Sequence, residues 1–532
     1  MQTVSENWKN AHKQTLLNES FVEVSLDIAD PDALADASPQ DNGAVYISNT
    51  SEIVNRDDKN IIPYCTLEQN IWLLDGNRRA IPETGFGEGG YIGNVLSDEL
   101  CVFSEKIPTI TINFSKVFDM HIPGVTITWS PTYGEFADSF IVTAYNGDTV
   151  VARKEVVGNR STKSLVMVDI VDYDRIVIQI AKWCLPYHRA RVEEVFVGIN
   201  KVYSKTELFG YTHTQSVDPI STSLPKAEIT FSVDNAEGEY NPYNEQNLAK
   251  YLMERQEVSA RYGLKMNDGS VEWIKGGKFY LSEWYAKQNG LTAEFEARDL
   301  LELMQGVYVE HHDATPRTLY ALAERVLRAA NLPSNRDGSV KWVIDESLKS
   351  IETIAALPED TFANCLELIA NAGRCAMYQD RDGMLRIEPL KFEVSDYSIN
   401  SFNSYSKPEM TLAKPIKQVN VNQYYYWMKD GEMQVNPCVR VETYVVGTTG
   451  ETIVIDNPLL ADQYIVKDVA EWVGAYLKNR ITLDTSWRAD VRLDALDIVT
   501  SENSYNTSNV RMTEVEFSFN GAFRGKGEGK VI

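Results

Sequence analysis

Histidine and cysteine are scarce in this sequence, at six each in 532 residues. The cysteines (Cys65, Cys101, Cys184, Cys365, Cys375 and Cys438) lie far apart and form no Cys-x-x-Cys pair. A disulfide framework needs dense pairs in a small secreted chain, and structural zinc needs closely spaced ligands. The six therefore read as buried thiols of a chain made in a reducing compartment, and no metal site is expected. The one histidine cluster is Glu310-His311-His312-Asp313. Adjacent side chains point apart, and acidic residues are common before a helix start, so it is not read as a chelator. His12, His121, His188 and His213 are isolated, with no spacing for a Ser-His-Asp or Cys-His nucleophile. No catalytic residue is assigned, no cofactor is called for, and the chain is not expected to be an enzyme.

Positive charge is the minority: 51 Lys and Arg against 76 Asp and Glu, a net −25. Such a surface repels phosphates, which counts against a nucleic-acid gripper and against adsorption to an anionic membrane. No uncharged apolar run approaches the roughly 18 residues of a membrane span. Met1 to Ser20 carries no apolar stretch of the kind a secretory leader needs, so no leader or membrane anchor is expected.

Hydrophobic residues are present in quantity, 43% against 24% charged, so the chain can bury sizeable cores and is not a disordered protein. At about 150 residues per domain, its length suggests three or four domains. Turn dipeptides recur between alternating segments: Asn146-Gly147, Asp268-Gly269, Asn289-Gly290, Asp382-Gly383 and Asp430-Gly431. These residues accept the positive φ of hairpin turns. The expected fold class is mostly β with a small α module: β-barrel-like units plus a β-sandwich.

Along the chain, residues 1–95 contain one clear strand, Phe21–Ile28, with Ala44–Ile47 as its apparent partner, and a glycine-rich junction at 82–90. Residues 96–203 read as one sandwich with strands at Thr109–Phe114, Val125–Ser130, Ser139–Tyr145, Thr149–Val157, Leu165–Asp169, Arg175–Ala181 and Val192–Ile199. Residues 204–304 give a second β unit. Residues 305–375 form a helical module with helices at 315–330, capped by Thr315 with Pro316 at its first position, and at 359–372, ending at Gly373. Residues 376–532 are again β-rich, with one helix near 459–479, and Gly525–Ile532 reads as a flexible tail.

Gly85-Phe-Gly-Glu-Gly-Gly90 matches a dinucleotide-binding glycine pattern, but no strand precedes it, no helix follows, and Glu88 would face a phosphate with the wrong charge. It reads as a junction loop. Glu283 beside Trp284 and Tyr285 is the carboxylate setting to check for glycoside hydrolysis, and reads as a solvated strand face. Trp129, Tyr133, Trp183 and Tyr187 lie near strand ends or loops of the sandwich, where exposed rings would stack on sugar faces. They are the candidate carbohydrate-binding residues.

Three stretches together resemble the baseplate or tail-tip hub proteins of tailed bacteriophages and phage-derived particles, the hub-like family of contractile tails. The first is Tyr64-Cys-Thr-Leu-Glu-Gln-Asn-Ile-Trp-Leu-Leu-Asp-Gly76 with Gly90-Tyr-Ile-Gly-Asn94. The second is Ile229-Thr-Phe-Ser-Val-Asp-Asn235, Tyr240-Asn-Pro242, Val258 to Gly263, Gly276-Gly-Lys-Phe-Tyr280 and Ala297-Arg-Asp299. The third is Leu496-Asp-Ile-Val499 and Phe517-Ser-Phe-Asn-Gly-Ala-Phe-Arg-Gly525. Residues 96–203 resemble discoidin-like, galactose-binding-type jelly rolls, through Ile112-Asn-Phe114, Gly124-Val-Thr-Ile-Thr-Trp-Ser130, Asp138-Ser-Phe140 and Val195-Phe-Val-Gly-Ile199.

The resemblance implies a virion structural protein, synthesised in a host bacterial cytoplasm, that forms a homotrimeric ring at the distal end of the tail tube. Two barrel-like domains per subunit would adapt a sixfold tube to a threefold tip, with the jelly roll inserted in the first. Implied partners are the tail tube or a distal tail protein ring above, spike or tip proteins below, and host-surface carbohydrate. Genome DNA would pass the lumen without tight binding. The alternatives are a distal tail protein in a hexameric ring and a secreted-type carbohydrate-active enzyme with an accessory sugar-binding domain. The long peptidase or lysin extension of some tail-associated relatives is not seen, so cell-wall cleavage is not expected.

Overall fold

The computed structural model describes residues 1–14, 18–54, 66, 68, 90–243, 248–287, 289–309, 315–335, 339–430, 432–488 and 490–532. The junction glycines 85–89, Cys65, most of the 64–76 motif and the Glu310–Asp313 cluster lie outside them. The chain is mostly β, 50% strand and 14% helix. Its helices among the described residues are α1 (Glu6–His12), α2 (Pro31–Asp36), α3 (Leu319–Ala329), α4 (Phe362–Ala372) and α5 (Gln463–Lys478).

One large sheet organises the molecule. Its hydrogen-bonded order runs Gly198–Ser204, Ser20–Ala29, Glu257–Lys265, Val271–Ala286, Thr292–Arg298, Lys226–Asp234, Leu208–Ser216, Thr507–Phe519, Phe523–Val531, Ile481–Arg488 and Glu409–Leu412. Alternation sets which face is buried: Val22, Val24, Leu26 and Ile28 point inward along the first strand, as Ile229, Phe231 and Val233 do along Lys226–Asp234. Leu483, Trp487, Val510 and Phe517 share this core, so the two ends of the chain fold as one body.

Ser20–Ala29 is the expected strand, but its partners are Gly198–Ser204 and Glu257–Lys265 rather than Ala44–Ile47. Val45 instead donates its N–H to the Ile92 carbonyl. A four-residue apolar run does not specify its partner, and the true ones lie more than a hundred residues away.

The sandwich faces a five-stranded sheet (Ser38–Asp41, Thr109–Phe118, Tyr173–Trp183, Ala137–Asn146, Thr149–Val157) against a three-stranded one (Glu194–Phe196, Ile122–Thr128, Lys163–Ile170). The seventh expected strand, Val192–Ile199, is broken. Arg189–Val192 pairs with Tyr91–Leu96, Glu194–Phe196 stays in the sandwich, and Gly198–Ser204 leaves for the large sheet. Gly198, at φ 144°, makes that transfer, and a Cβ there would stand 2.5 Å from the Ile28 carbonyl oxygen.

A third core joins α3 and α4 to α5 and to the hairpin sheet of Ile416–Lys429, Glu432–Val445 and Glu451–Ile455. The first of these helices starts later than expected. Arg317–Thr318 pairs with Glu352–Thr353, and Thr318, not Thr315, is the cap, accepting from the Ala321 N–H at 3.1 Å. At the end of α4, Gly373 stays right-handed and Arg374 takes the positive φ, 58°.

The hairpins expected at all five turn dipeptides form, judged by their paired strands, with Gly431 itself outside the described residues. The C-terminal segment corrects the sequence reading: Phe523–Val531 is a strand between Thr507–Phe519 and Ile481–Arg488. Gly525, Gly527 and Gly529 line its buried face, because Trp487, Met512 and Val510 already fill the space a side chain would take. The five cysteines among the described residues are free thiols; Cys365 and Cys375 are buried as expected, while Cys101 and Cys184 are half-buried and Cys438 is exposed.

His213 lies wholly inside the large core. Its Nδ1 is 2.7 Å from the Tyr262 hydroxyl, and its Nε2 has no partner among the described residues. Burial, with Arg381 nearby, lowers its pKa from 6.5 to about 3. The unfolded chain therefore binds the extra proton between these values, and stability falls as the pH drops through that window, by roughly 3 kcal/mol near pH 4 from this group. Urea titrations at pH 7 and pH 4.5 should give a smaller loss for His213→Gln than for the wild type.

Candidate functional site

The four candidate sugar-stacking residues lie at one end of the sandwich, but two of the rings are core. Trp129 and Trp183 are both 0% exposed. They meet edge to face, 6.2 Å between centroids, and Trp129 also packs on Phe140 at 4.7 Å. The Trp129 indole N–H donates to Ser164 Oγ at 2.8 Å, and that of Trp183 to Glu135 Oε2 at 2.7 Å. Neither presents a face to a ligand. Tyr133 is half-buried with the Arg191 guanidinium 4.6 Å above its ring. Only Tyr187 is well exposed, at 47%, on a loop at φ 58°. The sandwich end therefore has no platform of parallel exposed rings among these four.

Beneath the rings lies a buried charge network. Arg191 Nη2 donates to Glu68 Oε2 at 2.5 Å and Nη1 to Glu68 Oε1 at 3.1 Å. The same Nη1 also lies 3.7 Å from Glu135 Oε2, and His188 Nδ1 is 2.9 Å from Glu135 Oε1. The Arg189 backbone N–H and the Thr66 hydroxyl also donate to Glu68. Burial pushes the Glu68 carboxyl up, but Arg191 and these hydrogen bonds outweigh it and hold the group below the usual carboxylate range. Glu68 belongs to the 64–76 motif, and the network ties this residue, with Thr66, to the sandwich. A carboxylate locked by a bidentate guanidinium and two further donors has no lone pair aimed at a substrate, and the arrangement is one of holding rather than turnover.

No signal in the sequence marks Glu68, Glu135 or Arg191, and His188 reads as isolated. What joins them is tertiary: Glu135 precedes Ala137–Asn146, Arg191 lies on Arg189–Val192 with His188 just before it, and Glu68 is more than sixty residues from each. Glu283, the carboxylate checked for hydrolysis, is exposed on its strand, as expected of a solvated face. Among the described residues, no group of three or more His, Cys, Asp or Glu could hold a metal ion, and no helix is long and apolar enough to cross a membrane.

The second notable surface is the outer face of the hairpin sheet. Val419, Val421, Tyr424 and Tyr426 point toward α5 and its core. The opposite face pairs Gln418 with Val445, Asn420 with Thr443, Asn422 with Val441, Tyr425 with Asn436 and Trp427 with Gln434, and Thr452 and Val454 extend it. None of these side chains is charged. Tyr425, Val441, Val445 and Val454 are each more than 40% exposed, and Tyr425 stacks on Trp427 at 5.7 Å.

No family model matches the chain, and no curated protein matches its sequence. Among solved structures it is similar to the tail protein from Neisseria meningitidis MC58, with 11% identity over 62% of this chain and 93% of that one, at a TM-score of 0.44. It is also similar to the 43 kDa tail protein of prophage MuSo2 from Shewanella oneidensis (10% identity, 62% and 95% covered, TM-score 0.42). A third is prophage tail protein gp18 from Listeria monocytogenes EGD-e (10%, 62% and 91%, TM-score 0.39). Likeness at this level carries no argument about activity or partners.

Proposed function

We propose that this chain is a structural subunit of a phage tail or phage-tail-like particle, a baseplate hub protein whose trimeric ring closes the distal end of the tail tube. The observation that carries this reading is the outer face of the hairpin sheet, whose pairs from Gln418–Val445 to Trp427–Gln434 carry no charge, on a chain of net charge −25, with Asp456 and the Lys429–Glu432 pair at its margins. Copies that repel one another associate through the surface with the least charge, and the middle of this face combines exposed valines and stacked rings with amide and hydroxyl groups. Its proposed occupant is a second copy of the chain. The motif order from Ile229 to Asp299 supports the same reading, since its segments at 229–234, 258–263, 276–280 and 297–298 fall in one sheet, of the kind a tube-lining domain needs. In such a ring the acidic surplus would keep passing DNA from sticking. The sandwich would be the inserted module, and carbohydrate contact there would rest on Tyr187 rather than on the two tryptophans.

Native mass spectrometry of the purified chain is the test. A trimer that Val441→Glu with Trp427→Lys converts to monomer, with unchanged circular dichroism, is the expected result. A hexamer would replace the hub reading with a distal tail protein. A monomer at every concentration, with turnover on a glycan, would overturn the structural reading.

A further inference from the structure

Where the sandwich meets the large sheet there is a cleft of about 860 Å³, and three of its lining residues form an unusual contact. Lys163, on Lys163–Ile170 of the sandwich, places its Nζ against the carboxamide oxygen of Asn200, on Gly198–Ser204. Asn200 is the direct register partner of Asp27 on Ser20–Ala29, so their side chains share a face. The other end of the same carboxamide, Nδ2, donates to Asp27 Oδ1 and to Ser25 Oγ, each at 2.5 Å. The Asn200 backbone N–H is held by Thr126 Oγ1 at 3.0 Å, which fixes the strand against the sandwich. An amine therefore sits at one end of a carboxamide and a carboxyl group at the other, each on a different strand.

We propose that Lys163 and Asn200 form an intramolecular isopeptide bond, with Asp27 as the proton carrier, stapling the sandwich to the large sheet. The Lys163 Nζ lone pair attacks Asn200 Cγ, and a new C–N bond forms. The Asp27 carboxyl group relays the proton from that nitrogen to Nδ2, the Cγ–Nδ2 bond breaks, and ammonia leaves through the cleft. Amine and primary amide go to secondary amide and ammonia, with no oxidant, reductant or second substrate. Two conditions make an amide carbon reachable by a lysine. The first is a fixed approach, which turns a slow encounter into an intramolecular step. The second is a neutral amine, and burial lowers the Lys163 pKa against the opposing pull of Glu194 and Asp27. The carboxyl bonded to the leaving nitrogen is placed for general acid–base work.

The test is intact mass and tryptic mapping of the purified full chain. The expected mass is lower than that of the sequence by one ammonia. Cyclisation at Asn-Gly sites gives the same loss, so the map decides. The expected product is one branched peptide joining Ser161–Arg175, uncleaved after Lys163, to Val192–Lys201. Lys163→Arg should restore the full mass and both linear peptides, and Asp27→Asn should leave most of the chain unlinked. Recovery of both linear peptides from the wild type, cleaved after Lys163, overturns the proposal. So does a branched peptide that maps to any other pair.

Discussion

Replacing Trp487 by alanine should cost about 3–5 kcal/mol, the range for removing a large ring from a packed core. The ring is fully buried on Ile481–Arg488, directly opposite Gly525 of the last strand. A Cβ added at Gly525 would come within 2.5 Å of it. Gly525→Val should therefore destabilise on its own, by about 1–3 kcal/mol as an overpacked site. The two changes relieve each other, since removing the ring opens the space the valine needs. The double variant should lose clearly less than the sum of the single losses, which a urea-unfolding cycle measures. Strict additivity would mean that the glycine stripe is there for some other reason.

The second large effect is expected at Arg191. Arg191→Met removes the guanidinium and leaves Glu68 and part of Glu135 buried without their cation, a loss of about 3–5 kcal/mol. Adding Glu68→Gln to that variant should recover part of the loss, because a neutral amide is cheaper to bury than an unpaired carboxylate. The pH dependence has a defined sign. The Glu68 carboxyl titrates below its ordinary 4.5 in the folded chain, so its contribution is present above that value and fades as the pH falls through the lower folded one.

How far the sequence could be read differs sharply between elements. Five Asn-Gly or Asp-Gly turns predict five hairpins and all five form, because the positive φ they permit is a local property. The same holds for α3, α4 and α5, whose apolar stripes are visible in a short window, though the cap at Thr318 is displaced from the expected Thr315 by a strand pairing with Glu352–Thr353. The candidate site was far less legible. Aromatic residues near strand ends look alike whether they face solvent or core. Only the facing sheet buried Trp129 and Trp183, and left Tyr187 outside.

Composition and periodicity by themselves determined the mostly β class, the small helical content, the acidic surplus and the positions of six strands of the sandwich. Tertiary structure alone decided which strands pair, which charges go inside, and that a run of alternating glycines is a strand. The physical reason is the range of the interaction. Turn dihedrals, capping and side-chain alternation are fixed within a few residues. Pairing of Ser20–Ala29 with Gly198–Ser204, the enclosure of Arg191 between Glu68 and Glu135, and the space for Gly525 under Trp487 exist only once segments far apart in the chain have met.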